Sequence, residues 1–114
     1  MSKASQEKGK RGERMLVHFL RSLGLDTKRG MVFLGQSDLI GLDGIHIECK
    51  FVEKLNVRVA LAQAIEEAKK KKDGLPAVFW KTSRKEWVTV MRTEDFITIY
   101  KLARWRIDTE GENT

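Results

Sequence analysis

Glu48, Cys49 and Lys50 are consecutive, and Asp38 stands ten positions before Glu48. From Ile45 to Phe51 the chain alternates. Ile45, Ile47, Cys49 and Phe51 make one apolar face, and His46, Glu48 and Lys50 make the other, the period of two that marks a strand. A carboxylate and an ammonium therefore share a strand face. Hard carboxylate oxygens suit a divalent cation such as Mg2+, with Mn2+ as a substitute, and a cation of this kind polarises a phosphodiester and holds water against it. In that chemistry Asp38 and Glu48 are direct ligands, and the main-chain carbonyl of Cys49 is a third. Lys50 either takes a proton as a base or stabilises developing negative charge, and the residue types alone fit both roles. Glu13 approaches the same cation directly or through water, and Gln63 positions water or the scissile phosphate.

This chemistry sets a geometric condition. A two-residue turn at Asp43-Gly44 places Asp38 opposite Cys49, so that its side chain points away from Glu48. A three-residue loop with Gly44 left-handed pairs Asp38 with Glu48, and a bulge near Gly41 has the same effect. One of these two is expected.

The elements that must hold these residues can be read from periodicity and breakers. A first helix is expected over residues 10–23, with Leu16, Phe19, Leu20 and Leu23 as its buried stripe, Glu13 at the stripe's edge and Gly24 as its stop. Residues 26–36 mix a short strand with loop. Strands follow at 38–42 and 45–51 around the Asp43-Gly44 turn. A second helix over 57–72 is capped by Asn56 and buries Val57, Ala60, Leu61, Ala64, Ile65 and Ala68. Two strands at 77–81 and 87–91 precede a last helix at 94–105. A helix between strands implies a crossover within a mixed sheet, so the fold class is α/β with the sheet between helices. Residues 1–8 read as a flexible basic arm, 9–107 as one domain and 108–114 as a flexible acidic tail.

Composition narrows the partners. At 114 residues the chain suits one core. The formal charge is +6, and without the last seven residues it is +9, with 22 bases against 13 acids. Lys8, Lys10, Arg11, Arg14, Lys28 and Arg29 form basic clusters that suit DNA. Lys69 to Lys72 are either a solvated helix end or a further DNA contact. No apolar run is long enough for a membrane span, and the N-terminus is too polar for a secretory signal. A single cysteine excludes an intrachain disulfide and favours an intracellular setting. Cys49 itself reads as a packing residue, and His46 as a rim residue with no ligand role. Trp80, Trp87 and Trp105 read as core or interface residues.

Glu13 on a helix, Asp38 on a strand, Glu48-Cys49-Lys50 on the next strand and Gln63 on the following helix resemble the PD-(D/E)xK nuclease superfamily. The Gly12-Glu13-Arg14 start and the short chain are most similar to Holliday junction resolvases of archaeal and phage type. Ser37 stands where that family often has proline. The resemblance implies a restriction-endonuclease-like core, Mg2+-dependent hydrolysis of branched DNA and paired symmetrical nicks at four-way junctions by a homodimer. It leaves open the same nuclease fold acting on flaps or duplex, and a DNA-binding module without activity. A self-contained enzyme of this kind suits a phage as well as a cell. The apolar last helix, with Phe96, Ile99, Tyr100, Ala103 and Trp105, supplies a candidate subunit contact.

Overall fold

The computed structural model describes residues 3–112 and, within them, the side chains of all but Val32 and residues 110–112. The elements run α1 (Lys3–Ser22), β1 (Lys28–Arg29), β2 (Leu39–Ile40), β3 (Ile45–Phe51), α2 (Val57–Lys71), β4 (Leu75–Lys81), β5 (Val88–Val90) and α3 (Thr93–Glu112), with a 3-10 turn at Val32–Leu34. The five strands form one mixed sheet in chain order. Only β3 and β4 are parallel, from Ile45 opposite Leu75 to Phe51 opposite Lys81. The other neighbours are antiparallel. α2 is the crossover between the parallel pair, as a helix between strands requires.

The two sheet faces bury different helices. α1 lays Leu16, Val17 and Leu20 on Leu39, Ile47, Ala77 and Phe79, with Ile45 and Cys49 packed alongside. α2 lays Ala60, Leu61 and Ala64 on Val78, with Leu55, Ile65 and Trp80 around them. Asn56 caps α2 as expected, accepting the Val59 N–H at 3.1 Å. Trp80 anchors the far end of β4 by donating from Nε1 to the Val52 carbonyl at 2.8 Å.

Three expectations change. α1 begins at Lys3, so the segment read as a flexible arm is helical from that residue on, and all of 3–11 is exposed. Its buried stripe is Gly12, Leu16, Val17 and Leu20, whereas Phe19 and Leu23 are exposed. The stripe turns because Gly12 lies directly against Phe51 and pulls the helix face round toward β3. At the other end α3 continues to Glu112, so the acidic residues read as a flexible tail are helical up to that point, and 113–114 lie outside the described residues. α3 has no extensive packing against any other element. No helix among the described residues is long and apolar enough to cross a membrane.

Candidate active site

The β2–β3 connection satisfies the geometric condition. Leu39 pairs with Ile47. β2 is shorter than the expected strand over 38–42 and leaves Asp38 just before it; the same register continued by one residue puts Asp38 across from Glu48. The connection is a tight turn with the register shifted at Gly41. The Ile45 N–H closes Asp43-Gly44 on the Leu42 carbonyl at 3.0 Å, with Gly44 left-handed at φ +87°. The extra residue before the turn is Gly41, itself at φ +121°, the second of the two expected geometries. Directly opposite residues share a sheet face, so both carboxylates lie on the side that carries Lys50.

Electrostatics report the same convergence. Burial raises the Glu48 carboxyl above the usual range, a hydrogen bond from His46 opposes this, and the Asp38 charge raises it further. Burial also raises Glu13, its Arg29 hydrogen bond opposes, and Asp38 again raises it. The Cys49 thiol is pushed up to about 12, first by burial and then by Glu13, Asp38 and Glu48 together. A thiol so placed stays protonated and inert, which agrees with Cys49 as a packing residue. Glu13, Asp38 and Glu48 thus all act electrostatically on one thiol, and Lys50 opposes them.

The site is nonetheless not a closed cage. Among the described residues no three His, Cys, Asp or Glu side chains stand close enough to hold an ion by themselves. Glu13 is occupied by Arg29, whose Nε donates to its Oε1 at 3.0 Å. Glu48 and Gln63 line one open cavity of about 570 Å3 with Val59, Ala62, Glu66 and Glu67. Asp38 and Lys50 line a second of about 360 Å3, walled by Ser5, Lys8 and Gly9 of α1. The donor set still suits Mg2+, which prefers hard oxygens, keeps several waters and needs only one or two carboxylates. Two carboxyls raised by burial and by the Asp38 charge are also groups that a cation would relieve.

His46 is the residue that sequence reasoning misplaced. It is 0% exposed, not at a rim. Its Nδ1 lies 2.8 Å from Asp73 Oδ1 and 2.9 Å from Ser37 Oγ, and its Nε2 lies 3.0 Å from Glu48 Oε1. The Ser37 hydroxyl donates to Asp73 Oδ2 at 2.5 Å. With its only hydrogen spent there, Ser37 can only accept from the ring, so Nδ1 carries a hydrogen. The Nε2–Glu48 contact then needs one proton, on the imidazole or on the carboxyl. No buried side-chain polar atom among the described residues lacks a partner. The sequence holds one clue to this network: a parallel strand pair brings the residues just before β4 beside the start of β3, so an Asp at 73 falls near His46. The same contacts account for Ser37 in place of proline, because its hydroxyl is used.

The basic residues divide. Lys8 and Arg11 of α1 and Lys81 of β4 stand over the Phe51 ring, 5.3, 5.5 and 5.7 Å from its centroid. Lys28, Arg14 and Lys10 are exposed, Lys10 in a loose pair with Glu7 at 3.9 Å. Lys69, Lys70 and Lys71 pair with Glu66 and Glu67 within their own helix, which favours the solvated helix end over a DNA contact. No protein-family model matches this chain and no curated protein matches it, so the resemblance to PD-(D/E)xK nucleases rests on these residues and their geometry.

Proposed function

We propose that this protein is a metal-dependent endodeoxyribonuclease of the PD-(D/E)xK type that cuts branched DNA, as a Holliday junction resolvase making paired symmetrical nicks. The observation that supports this reading is the pairing of Leu39 with Ile47, a register in which Asp38 falls across from Glu48 on the face that bears Lys50. The same turn at Asp43-Gly44 without the extra residue at Gly41 would have turned the two carboxylates to opposite faces.

Mg2+ bound by Asp38, Glu48 and the Cys49 carbonyl supplies Lewis acidity and charge neutralisation at the phosphorus. The chain's own groups do the rest. Lys50, on the same strand face, orients the attacking water and offsets negative charge as it builds on the phosphate oxygens. Glu13 holds Arg29 at the edge of the site, where the guanidinium can engage a phosphate bidentately once DNA displaces the carboxylate. Gln63 faces the cavity that Glu48 lines and positions water or the scissile phosphate from α2. Lys8, Arg11, Arg14 and Lys28 border these groups and hold the sugar–phosphate backbone without reading sequence.

A synthetic four-way junction, a flap and a linear duplex incubated with Mg2+ test the proposal, with Asp38→Asn as control. Paired nicks across the junction alone support it. Equal cutting of all three substrates moves the activity to general branched or duplex DNA. Tight binding with no cutting in Mg2+ or Mn2+ makes the protein a DNA-binding module and overturns the reading.

A further inference from the structure

A fully buried histidine whose two ring nitrogens both face carboxylates is unusual in a protein this small. Burying it takes a polar group out of water, which is tolerated only when each polar atom finds a partner. Here each does. Asp73 and Ser37 take Nδ1, and Glu48 takes Nε2. These partners come from three separate stretches of chain. Ser37 is the residue immediately before Asp38. Glu48 lies two residues along the strand from His46 itself. Asp73 sits in the turn between α2 and β4, next to the left-handed Lys72 that ends the helix. The neighbouring backbone reinforces the join: the Lys71 ammonium donates to the Gln36 carbonyl at 3.1 Å, and the Leu75 N–H donates to the Gly44 carbonyl at 2.8 Å.

We infer that His46 is a positioning residue that presets both metal-binding carboxylates of the proposed site, holding Glu48 through Oε1 and fixing the backbone ahead of Asp38 through Ser37, with Asp73 as the anchor that orients the ring. The cation then falls to the other oxygen of Glu48. This rests on the nuclease reading. It differs from a purely structural role, because a core polar cluster has no need to end on a residue that lines the site. Groups that orient a ligand through a hydrogen bond change metal affinity or activity by about 10–100-fold when removed.

The test separates the two sides of the ring. His46→Asn keeps a polar group near the Nδ1 position and loses the contact with Glu48. His46→Gln keeps an N–H near the Nε2 position and loses the contact with Asp73. Mn2+ binding to the full chain is measured by calorimetry, junction cutting by its Mg2+ dependence, metal-free junction affinity by electrophoretic shift, and folding by thermal unfolding. His46→Asn is expected to weaken Mn2+ binding and raise the Mg2+ requirement by about 10–100-fold, with metal-free DNA affinity unchanged. His46→Gln is expected to recover most of that loss. Asp73→Asn, at a position one-third exposed and therefore easier to tolerate, is expected to lie between them. If His46→Asn does not fold, Asp73→Asn decides. Wild-type Mn2+ affinity in a folded His46→Asn or Asp73→Asn protein overturns the inference while leaving the nuclease reading intact. A wild-type chain that neither binds Mn2+ nor cuts DNA overturns both.

Discussion

Glu13 and Glu48 each carry a carboxyl raised above 4.5, by burial first and by Asp38 as a further cause. A group raised on folding stabilises the fold below its unfolded value, and that contribution is lost as pH climbs through the folded value. The metal-free protein therefore loses stability at this site as pH rises above the ordinary carboxylate range. Two outcomes follow at single residues. Asp38→Asn should abolish cutting and still raise the metal-free unfolding midpoint at pH 7, by about 1 kcal/mol or about 4 °C, because it removes one of the crowded charges. The gain should shrink at acid pH, where Glu13 and Glu48 take up protons and no longer repel a neighbouring charge, and thermal melts at neutral and acid pH check this. Ca2+ or Mg2+ should stabilise the wild type at pH 7 by about 2.7 kcal/mol at a hundred times its dissociation constant, and Asp38→Asn far less. Cys49 gives a third residue-scale outcome. A thiol held near 12 should resist iodoacetamide at pH 8 in the native protein and react once urea unfolds it, as mass spectrometry would show.

At the scale of elements, the meeting of α1 with β3 decides whether Glu13 reaches the site. A Cβ added at Gly12 would come within 2.6 Å of the Phe51 Cβ, an atom fixed to the strand backbone that cannot swing aside. Gly12→Ala should therefore push α1 off the sheet, cost about 1–3 kcal/mol, and lower cutting more than DNA affinity, because Glu13 retreats with the helix while Asp38 and Arg29 stay with the sheet. Paired denaturation curves and cleavage rates check the coupling. The same junction shows what local pattern can and cannot carry. The alternation from Ile45 to Phe51, the Asn56 cap and the small-residue stripe of α2 are local signals, and the structure agrees with them. The Asp43-Gly44 loop was legible as a choice between geometries, because strand pairing has only two face assignments. The course of α1 was not, since a glycine at 12 acts through a strand nearly forty residues later. His46 escaped for a related reason. Its polar strand face was readable, but the carboxylate and hydroxyl that bury it arrive from residues 73 and 37, through a parallel pairing that no short window contains.

At the scale of the whole molecule, α3 is, among the described residues, a helix with no extensive packing on the sheet. Phe96, Ile97, Ile99, Tyr100, Leu102, Trp105 and Ile107 are all exposed along it, and only Asp95, tied to Arg92 Nε at 2.8 Å, is buried near its start. A monomer rarely leaves so much apolar side chain in water. Phe96, Ile99, Tyr100 and Ile107 share one face of the helix. Covering a half-exposed apolar side chain contributes about 1 kcal/mol. Four such side chains from each of two copies supply an amount of the same order as the roughly 4–15 kcal/mol that association costs, so helix-to-helix docking of two protomers is energetically within reach. Two-fold symmetry would also present two copies of the Asp38–Glu48 site to a junction with two equivalent strands. Phe96 and Tyr100, 53% and 51% exposed, lie one turn apart on the face shared with Ile99 and Ile107, and the double substitution Phe96→Glu with Tyr100→Glu places charge in the middle of that face without touching the core. If two copies dock through α3, it should convert dimer to monomer in sedimentation velocity while leaving the unfolding midpoint of the sheet and the two helices packed on it little changed. Junctions cut by this variant should accumulate single nicks in place of paired ones, because each site then acts alone. A double variant that remains dimeric would assign the subunit contact to another surface. One that turns monomeric and still makes paired nicks would detach the symmetry of cutting from α3.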